Sequence, residues 1–181
     1  MNYSAIILCA GAGKRTGLSY NKMFYNIDGQ TVYEKTMHVF LSDPRCKQII
    51  VVTKKEEQDE FEKIIASSRI VFVEGGTERQ DSVTNGLQAV NQDYVMIHDG
   101  ARCFIKSDLL DRLCKSLEEH DACLAMVPSI DTVKRVVDGK VAETFKRSEL
   151  YNAQTPQAFK TSLIRKAYDY VNEHHLTVTD D

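Results

Sequence analysis

Short, nearly unbroken apolar runs alternate with helix-spaced apolar patterns from the first residues of this chain. That alternation constrains its fold more than any other feature. The runs Ser4–Leu8, Gln48–Val52, Ile70–Val73, Tyr94–Ile97 and Cys123–Val127 are rich in valine and isoleucine. Such segments suit central strands of a parallel sheet covered on both faces. Between them, Val32–Leu41, Glu56–Ala66, Asp81–Val90 and Leu109–Glu119 carry apolar residues at helical spacing, as in Leu109, Leu110, Leu113 and Leu117. Strand, helix and strand in repetition predict an α/β fold, with a mostly parallel sheet, right-handed crossovers and flanking helices. The 181 residues provide for one domain, 1–181, around one sizeable core.

After Pro128 the pattern changes. Thr132–Val137 and Lys140–Phe145 alternate in polarity around Asp138-Gly139, the dipeptide of a two-residue hairpin turn. The segment holds too many charges for a central sheet position, and it predicts a hairpin arm, about 131–150, projecting from the core. A last helix is expected over Thr161–Val171, after Thr155-Pro156-Gln157.

In open α/β sheets, ligands gather at the carboxyl ends of the strands. The first run ends there in Cys9-Ala10-Gly11-Ala12-Gly13-Lys14-Arg15, and Lys22 follows closely. Glycines let backbone N–H groups approach an anion, and cations neutralise it, so the loop reads as a nucleoside triphosphate cradle. It is not a Walker A loop, because Leu8 stands where the first glycine belongs and Arg15 replaces the magnesium-binding hydroxyl residue. A dinucleotide fingerprint fails at Thr16, and the second strand ends Val52-Thr53-Lys54 without an acidic residue, both of which count against a nicotinamide-dependent reductase. The plainer alternative is a glycine turn with incidental surface cations.

Two more strand ends carry chemistry. Glu74-Gly75-Gly76-Thr77-Glu78-Arg79-Gln80-Asp81-Ser82-Val83 closes one strand and opens a helix, where Ser82 or main-chain amides could read a base or ribose and Asp81/Ser82 could cap the helix. A well-capped turn is the alternative. His98-Asp99-Gly100-Ala101-Arg102 places a carboxylate opposite the glycine loop, where a hard divalent ion would be held. Asp99 could otherwise cap a helix or form a structural ion pair, and Arg102 could pair with it or with phosphate. Asp131-Thr132-Val133-Lys134-Arg135 and Lys146-Arg147 put cations on the arm, which is either a solvated face or, if the arm exchanges between subunits, part of a neighbour's site. His174-His175 point apart on a helix and carry no metal reading. Cys9 reads as a packed strand end, not a nucleophile.

The net charge of −3 gives no support to a nucleic-acid surface. No apolar run approaches membrane-spanning length. The five scattered cysteines are expected as free thiols in a reducing cytoplasm.

Taken together, these segments resemble the 2-C-methyl-D-erythritol 4-phosphate cytidylyltransferases of the non-mevalonate isoprenoid pathway. The residues that carry the likeness are Ala10 to Arg15, Asn21-Lys22, Gly75 to Val83, His98 to Arg102, Asp131 to Arg135, Arg147, Thr155-Pro156-Gln157-Ala158-Phe159 and Thr179-Asp180-Asp181. Asp-Gly-Ala-Arg and Asp-Thr-Val-Lys-Arg favour this family over the ribitol-5-phosphate cytidylyltransferases. The resemblance implies a Rossmann-like fold of the nucleotide-diphospho-sugar transferase type, CTP and a polyol phosphate as substrates, Mg2+ as cofactor, and a homodimer with an exchanged arm. By position, it implies Lys14, Arg15 and Lys22 on the triphosphate and Asp99 on the metal. Ala10, Gly11, Gly13, Gly76, Thr77, Ser82 and Gly100 would surround the nucleotide. Arg102, Thr132, Arg147 and Thr179 would hold the polyol phosphate, with Thr132 and Arg147 supplied by the partner and Arg147 also assisting catalysis.

Some positions depart from the family. Cys9, Thr16-Gly17, Thr77 and Cys103 differ from its usual residues, and the sequence stops at Asp181. There the family continues with an Ala-Ser-Leu-Val-Glu helix and a late strand whose lysine touches both substrates' phosphates. The resemblance therefore implies a chain truncated at its carboxyl end, and an inactive folded fragment stands as the alternative to an enzyme.

Overall fold

The computed structural model describes residues 1–11, 17–178 and 181. Its strands are β1 (Tyr3–Leu8), β2 (Asn26–Ile27), β3 (Gln30–Thr31), β4 (Cys46–Thr53), β5 (Ile70–Glu74), β6 (Tyr94–Asp99), β7 (Ala122–Pro128), β8 (Lys134–Val137), β9 (Lys140–Thr144) and β10 (Tyr151–Lys160). The helices are α1 (Val32–Ser42), α2 (Gln58–Ile64), α3 (Arg79–Ala89), α4 (Ser107–Ser116) and α5 (Thr161–Glu173).

Among the described residues, six strands form one sheet in the order β5-β4-β1-β6-β10-β7. The neighbours β5, β4, β1 and β6 run parallel, while β10 runs antiparallel to both β6 and β7. The expected mostly parallel sheet is therefore present. Side chains on β1 alternate between two apolar layers, as the period of two requires. Tyr3, Ala5 and Ile7 pack with Tyr33, Met37 and Phe40 of α1, Phe61 of α2 and Leu110 and Leu113 of α4. Ile6 faces the other way, toward Val83 and Leu87 of α3 and Ile164 and Tyr168 of α5. Arg165 of α5 donates to the Leu87 and Val90 carbonyls at the end of α3, each at 2.8 Å, a favourable place for a cation.

Several expectations need revision. Two of the five apolar runs, those of β5 and β7, lie at the sheet edges and not in its covered centre. Val71, Leu124 and Met126 are accordingly exposed. The expected helix over Glu56–Ala66 is a 3-10 turn, Lys55–Glu57, followed by the shorter α2. The segment before the last helix, for which no element was expected, is a ten-residue strand, β10, inserted between β6 and β7. Its register shifts between Ala153 and Gln157, which accommodates Pro156, a residue with no N–H for the ladder.

The arm forms as expected. Strands β8 and β9 make a separate two-stranded sheet whose residues are all exposed. Asp138 and Gly139 take positive φ, 49° and 73°, the pair of values a tight hairpin turn needs.

Candidate active site

The chain leaves β1 toward β4 and β5 on one side, and leaves β6 toward β7 on the other. The carboxyl ends of β1 and β6 therefore flank the topological switch point, where such folds bind ligands. Leu8 and Asp99 are partners in register across that crevice, and the Gly100 N–H donates to the Leu8 carbonyl at 3.0 Å. A Cβ on Gly100 would lie 2.9 Å from that carbonyl oxygen, 2.9 Å from Met23 Cε and 3.0 Å from Cys9 Sγ. Only glycine allows the two loops to run this close. Gly75 plays the same part on the other flank, where an added Cβ would meet the Ala10 Cβ at 2.6 Å.

Lys22 lies close enough to Cys9, at the end of β1, for its charge to act there, and its neighbours are tied down. Asn21 Oδ1 accepts from the Met23 N–H at 3.0 Å and caps the 3-10 turn Lys22–Phe24. The Asn21 amide donates to the Cys9 carbonyl at 2.9 Å and to Glu57 Oε2 at 2.7 Å. Met23 is buried below. Burial and the Glu57 carboxylate push the Cys9 thiol up, with the nearby Lys22 ammonium opposing them, so Cys9 is an inert packed thiol.

Asp99 is the charged centre of the crevice. Its Oδ2 accepts from Arg102 Nε at 3.0 Å and its Oδ1 from Arg79 Nε at 3.3 Å. Partial burial works against its charge, but the Arg102 and Arg79 guanidiniums outweigh that and hold the carboxyl below its usual range. The Asp99 N–H donates to Thr155 Oγ1 at 3.1 Å, and the same hydroxyl is 2.9 Å from His98 Nδ1. Thr155, from the unanticipated β10, thus fixes the backbone at the end of β6. Arg102 also donates to the Gln154 side chain.

The donor set suits one kind of metal. An ionised carboxylate has about four lone-pair sites, and the two arginines occupy one on each oxygen, leaving acceptor capacity on both. Among the described residues, no group of three or more His, Cys, Asp or Glu could form an all-protein cage. A Mg2+ ion that brings its own phosphate and water ligands needs only one or two carboxylates. Asp99 fits that requirement.

The remaining site candidates divide. Ser82 is buried, and its Oγ accepts from the Gly76 N–H at 3.1 Å and donates to the Glu78 carbonyl at 3.1 Å. It holds the Gly75-Gly76 turn, while Thr77 stays exposed. Asp81 Oδ2 accepts from the Glu78 N–H at 3.0 Å, the local capping expected of it. Ala10 and Gly11 lie at the exit of β1, whereas Gly13, Lys14, Arg15 and Thr179 lie outside the described residues. Thr132 is exposed at the base of the arm, and Arg147 donates to the Ile130 carbonyl at 3.4 Å.

Arg79 was not among the expected site residues. The available signal was its position: a cation in the first turn of a helix opposes the helix dipole and so needs an anionic partner. Here it has two, Asp99 and Asp181.

His98 gives a pH-dependent prediction. Its side chain is fully buried, and burial lowers its pKa from 6.5 to about 4. Between these values the unfolded chain binds more protons than the folded one. The stability from burying neutral His98 is complete above pH 6.5 and is lost as pH falls toward 4. Urea midpoints should record a loss of about 3 kcal/mol across that window, and His98→Gln should remove this part of the slope.

A family model described as 2-C-methyl-D-erythritol 4-phosphate cytidylyltransferase matches residues 3–181. The 2-C-methyl-D-erythritol 4-phosphate cytidylyltransferase of Bacillus pumilus is 39% identical over 186 aligned positions, spanning 100% of this chain and 81% of the relative. The enzyme of the same name from Geobacillus kaustophilus is 40% identical, across 100% of this chain and 82% of its own length. Among solved structures, the 4-diphosphocytidyl-2C-methyl-D-erythritol synthase of Anaerococcus prevotii superposes with a TM-score of 0.89 at 32% identity, covering 99% of this chain and 78% of the other.

Proposed function

Because the chain belongs to the 2-C-methyl-D-erythritol 4-phosphate cytidylyltransferase family, we propose that it joins CTP to 2-C-methyl-D-erythritol 4-phosphate and releases pyrophosphate. The observation that best supports this reading is the pairing of Leu8 with Asp99 at the switch point. It sets the end of β1, where the glycine loop begins, beside a carboxylate flanked by Arg79 and Arg102.

A phosphate oxygen of the polyol substrate attacks the α-phosphorus of CTP in line. One O–P bond forms as the bond to the bridging oxygen breaks, and pyrophosphate leaves with that electron pair. The nucleophile is already an anion, so no covalent enzyme intermediate is needed. The difficulty is electrostatic, since two anions must meet. Lys14, Arg15 and Lys22 hold the triphosphate and offset charge that grows on the α-phosphoryl oxygens. Asp99 would hold Mg2+, which would supply neutralisation of the phosphate charge when bound. Ala10, Gly11, Gly13, Gly76, Thr77 and Gly100 surround the nucleotide, and Ser82 acts through the turn it braces.

Arg102 and Thr179 contact the polyol phosphate, together with Thr132 and Arg147 from a second copy. The arm and β7 favour such a homodimer, since Met126, Ile130, Val136 and Val141 are all more than half exposed in the single chain. Residues 1–181 then act as one nucleotidyltransferase domain. The described cysteines are free thiols, which supports a reducing, cytoplasmic setting.

The test is pyrophosphate release with CTP and Mg2+, comparing methylerythritol phosphate with ribitol 5-phosphate. It should be run on this chain and on a form carrying the family's carboxyl-terminal segment. The expected result is turnover of methylerythritol phosphate; preference for ribitol 5-phosphate would transfer the enzyme to the related group. Silence from both forms would refute the activity.

A further inference from the structure

Arg79 stands between two carboxylates. Its Nη1 and Nη2 donate to the two oxygens of Asp181 at 2.9 and 2.7 Å, and its Nε donates to Asp99. Asp181 lies 102 residues further along the chain, and its side chain is fully buried. The Tyr168 hydroxyl of α5 donates to Asp181 Oδ1 at 2.5 Å, and the Asp181 N–H donates to Gln157 Oε1 at 3.3 Å. A fork-to-fork pair of this kind fixes the plane of the guanidinium as well as its position. Once that plane is fixed, the Nε–H has one direction left, and it points to Asp99 Oδ1.

We infer that Arg79 is a positioning residue for the metal-binding carboxylate, and that Asp181 is the anchor that aims it. The inference rests on the proposed nucleotidyl transfer at Asp99. Asp99 is gripped from both sides, by Arg102 three residues on and by Arg79 from the start of α3. Arg102 is only slightly more exposed than Arg79, 41% against 35%, but its guanidinium is shared with the neutral Gln154 side chain and not with a second carboxylate. Arg79 is the braced partner, tied through Asp181 to Tyr168 and to β10. Within this cluster the charges balance, two carboxylates against two guanidiniums. Loss of the Arg79 charge would leave that cluster with one uncompensated carboxylate beside the place where a triphosphate must bind.

Lysine at position 79 keeps the charge but cannot form two parallel bonds to Asp181 and a third to Asp99. Outer partners of metal ligands contribute about 10- to 100-fold in metal affinity or activity when removed. Binding of Mn2+ with CTP, followed by the loss of the free-ion electron paramagnetic resonance signal, should therefore weaken about 10- to 100-fold in Arg79→Lys. Asp181→Asn, which keeps the shape and removes the anchor's charge, should shift it the same way. Pyrophosphate release should need correspondingly more Mg2+, with turnover recovering at saturating metal.

A role confined to joining α3 and α5 would lower the melting temperature of both variants and leave Mn2+ binding and Mg2+ dependence at parental values, overturning the inference. Failure of the functional reading looks different. There the parent itself binds Mn2+ with CTP but releases no pyrophosphate with methylerythritol phosphate, and the comparison of metal affinities still decides the role of Arg79.

Discussion

Lys22→Ala should lower turnover by about 10²- to 10³-fold while the protein remains folded, the scale of removing one donor from a charge-stabilising site. The two parts of that result have separate causes. The turn is held by Asn21, through the Cys9 carbonyl and Glu57, and by the buried side chain of Met23. None of these contacts involves the Lys22 ammonium, so melting temperature should move little. The ammonium itself is delivered beside the exit of β1, near enough to act on the Cys9 thiol. At that place its loss removes positive charge when two anions are being brought together, which raises the barrier and not only KM. Lys22→Arg should recover part of the rate, since it restores charge but presents a planar fork in place of a compact point charge. Turnover equal to the parent in Lys22→Ala would take this residue out of the site.

The part of the fold that depends on local pattern was legible in the residues. Runs such as Ser4–Leu8 and Tyr94–Ile97 are continuous in hydrophobicity because helices cover both faces of their strands. Asp138-Gly139 specified its turn because few other pairs tolerate two positive φ values in succession. Strand β10 was hidden because Asn152, Gln154, Thr155, Pro156 and Gln157 show no apolar strand pattern. Their polarity makes sense only beside their distant partners: Thr155 bonds His98 and Asp99, and Gln157 accepts from Asp181. Asp99 was readable from its place at a strand end, with Arg102 as one candidate partner, and the structure pairs them. Arg79 was not, because its anchor is remote in the chain and only folding brings the two together. Ser82 shows the opposite limit. Its place in the motif was recognised, but its direction, inward to the Gly76 N–H, depends on how tightly the turn closes.

Asp99→Asn should likewise reduce turnover by about 10²- to 10³-fold, for a reason that differs from the loss at Lys22. Asparagine keeps the size of the side chain and the backbone N–H that donates to Thr155 Oγ1, so the end of β6 should stay in place. What it removes is the anion. Arg79 and Arg102 then face a neutral amide that can accept from one of them through oxygen but presents N–H donors to the other. The Asp99 side chain is 32% exposed, so water can solvate much of the released charge, and the stability cost should stay near that of an exposed ion pair, about 1 kcal/mol or less. The proposed hard-ion ligand has no such substitute. A neutral amide oxygen binds Mg2+ far less strongly than a carboxylate, and no cluster of three or more His, Cys, Asp or Glu among the described residues is available to replace it. Turnover in Asp99→Asn should therefore stay low as Mg2+ is raised, whereas Arg79→Lys should recover under the same titration. A variant with parental turnover would mean that Asp99 serves only as the counter-ion between two arginines, and the metal would then have to be held by the nucleotide without help from β6.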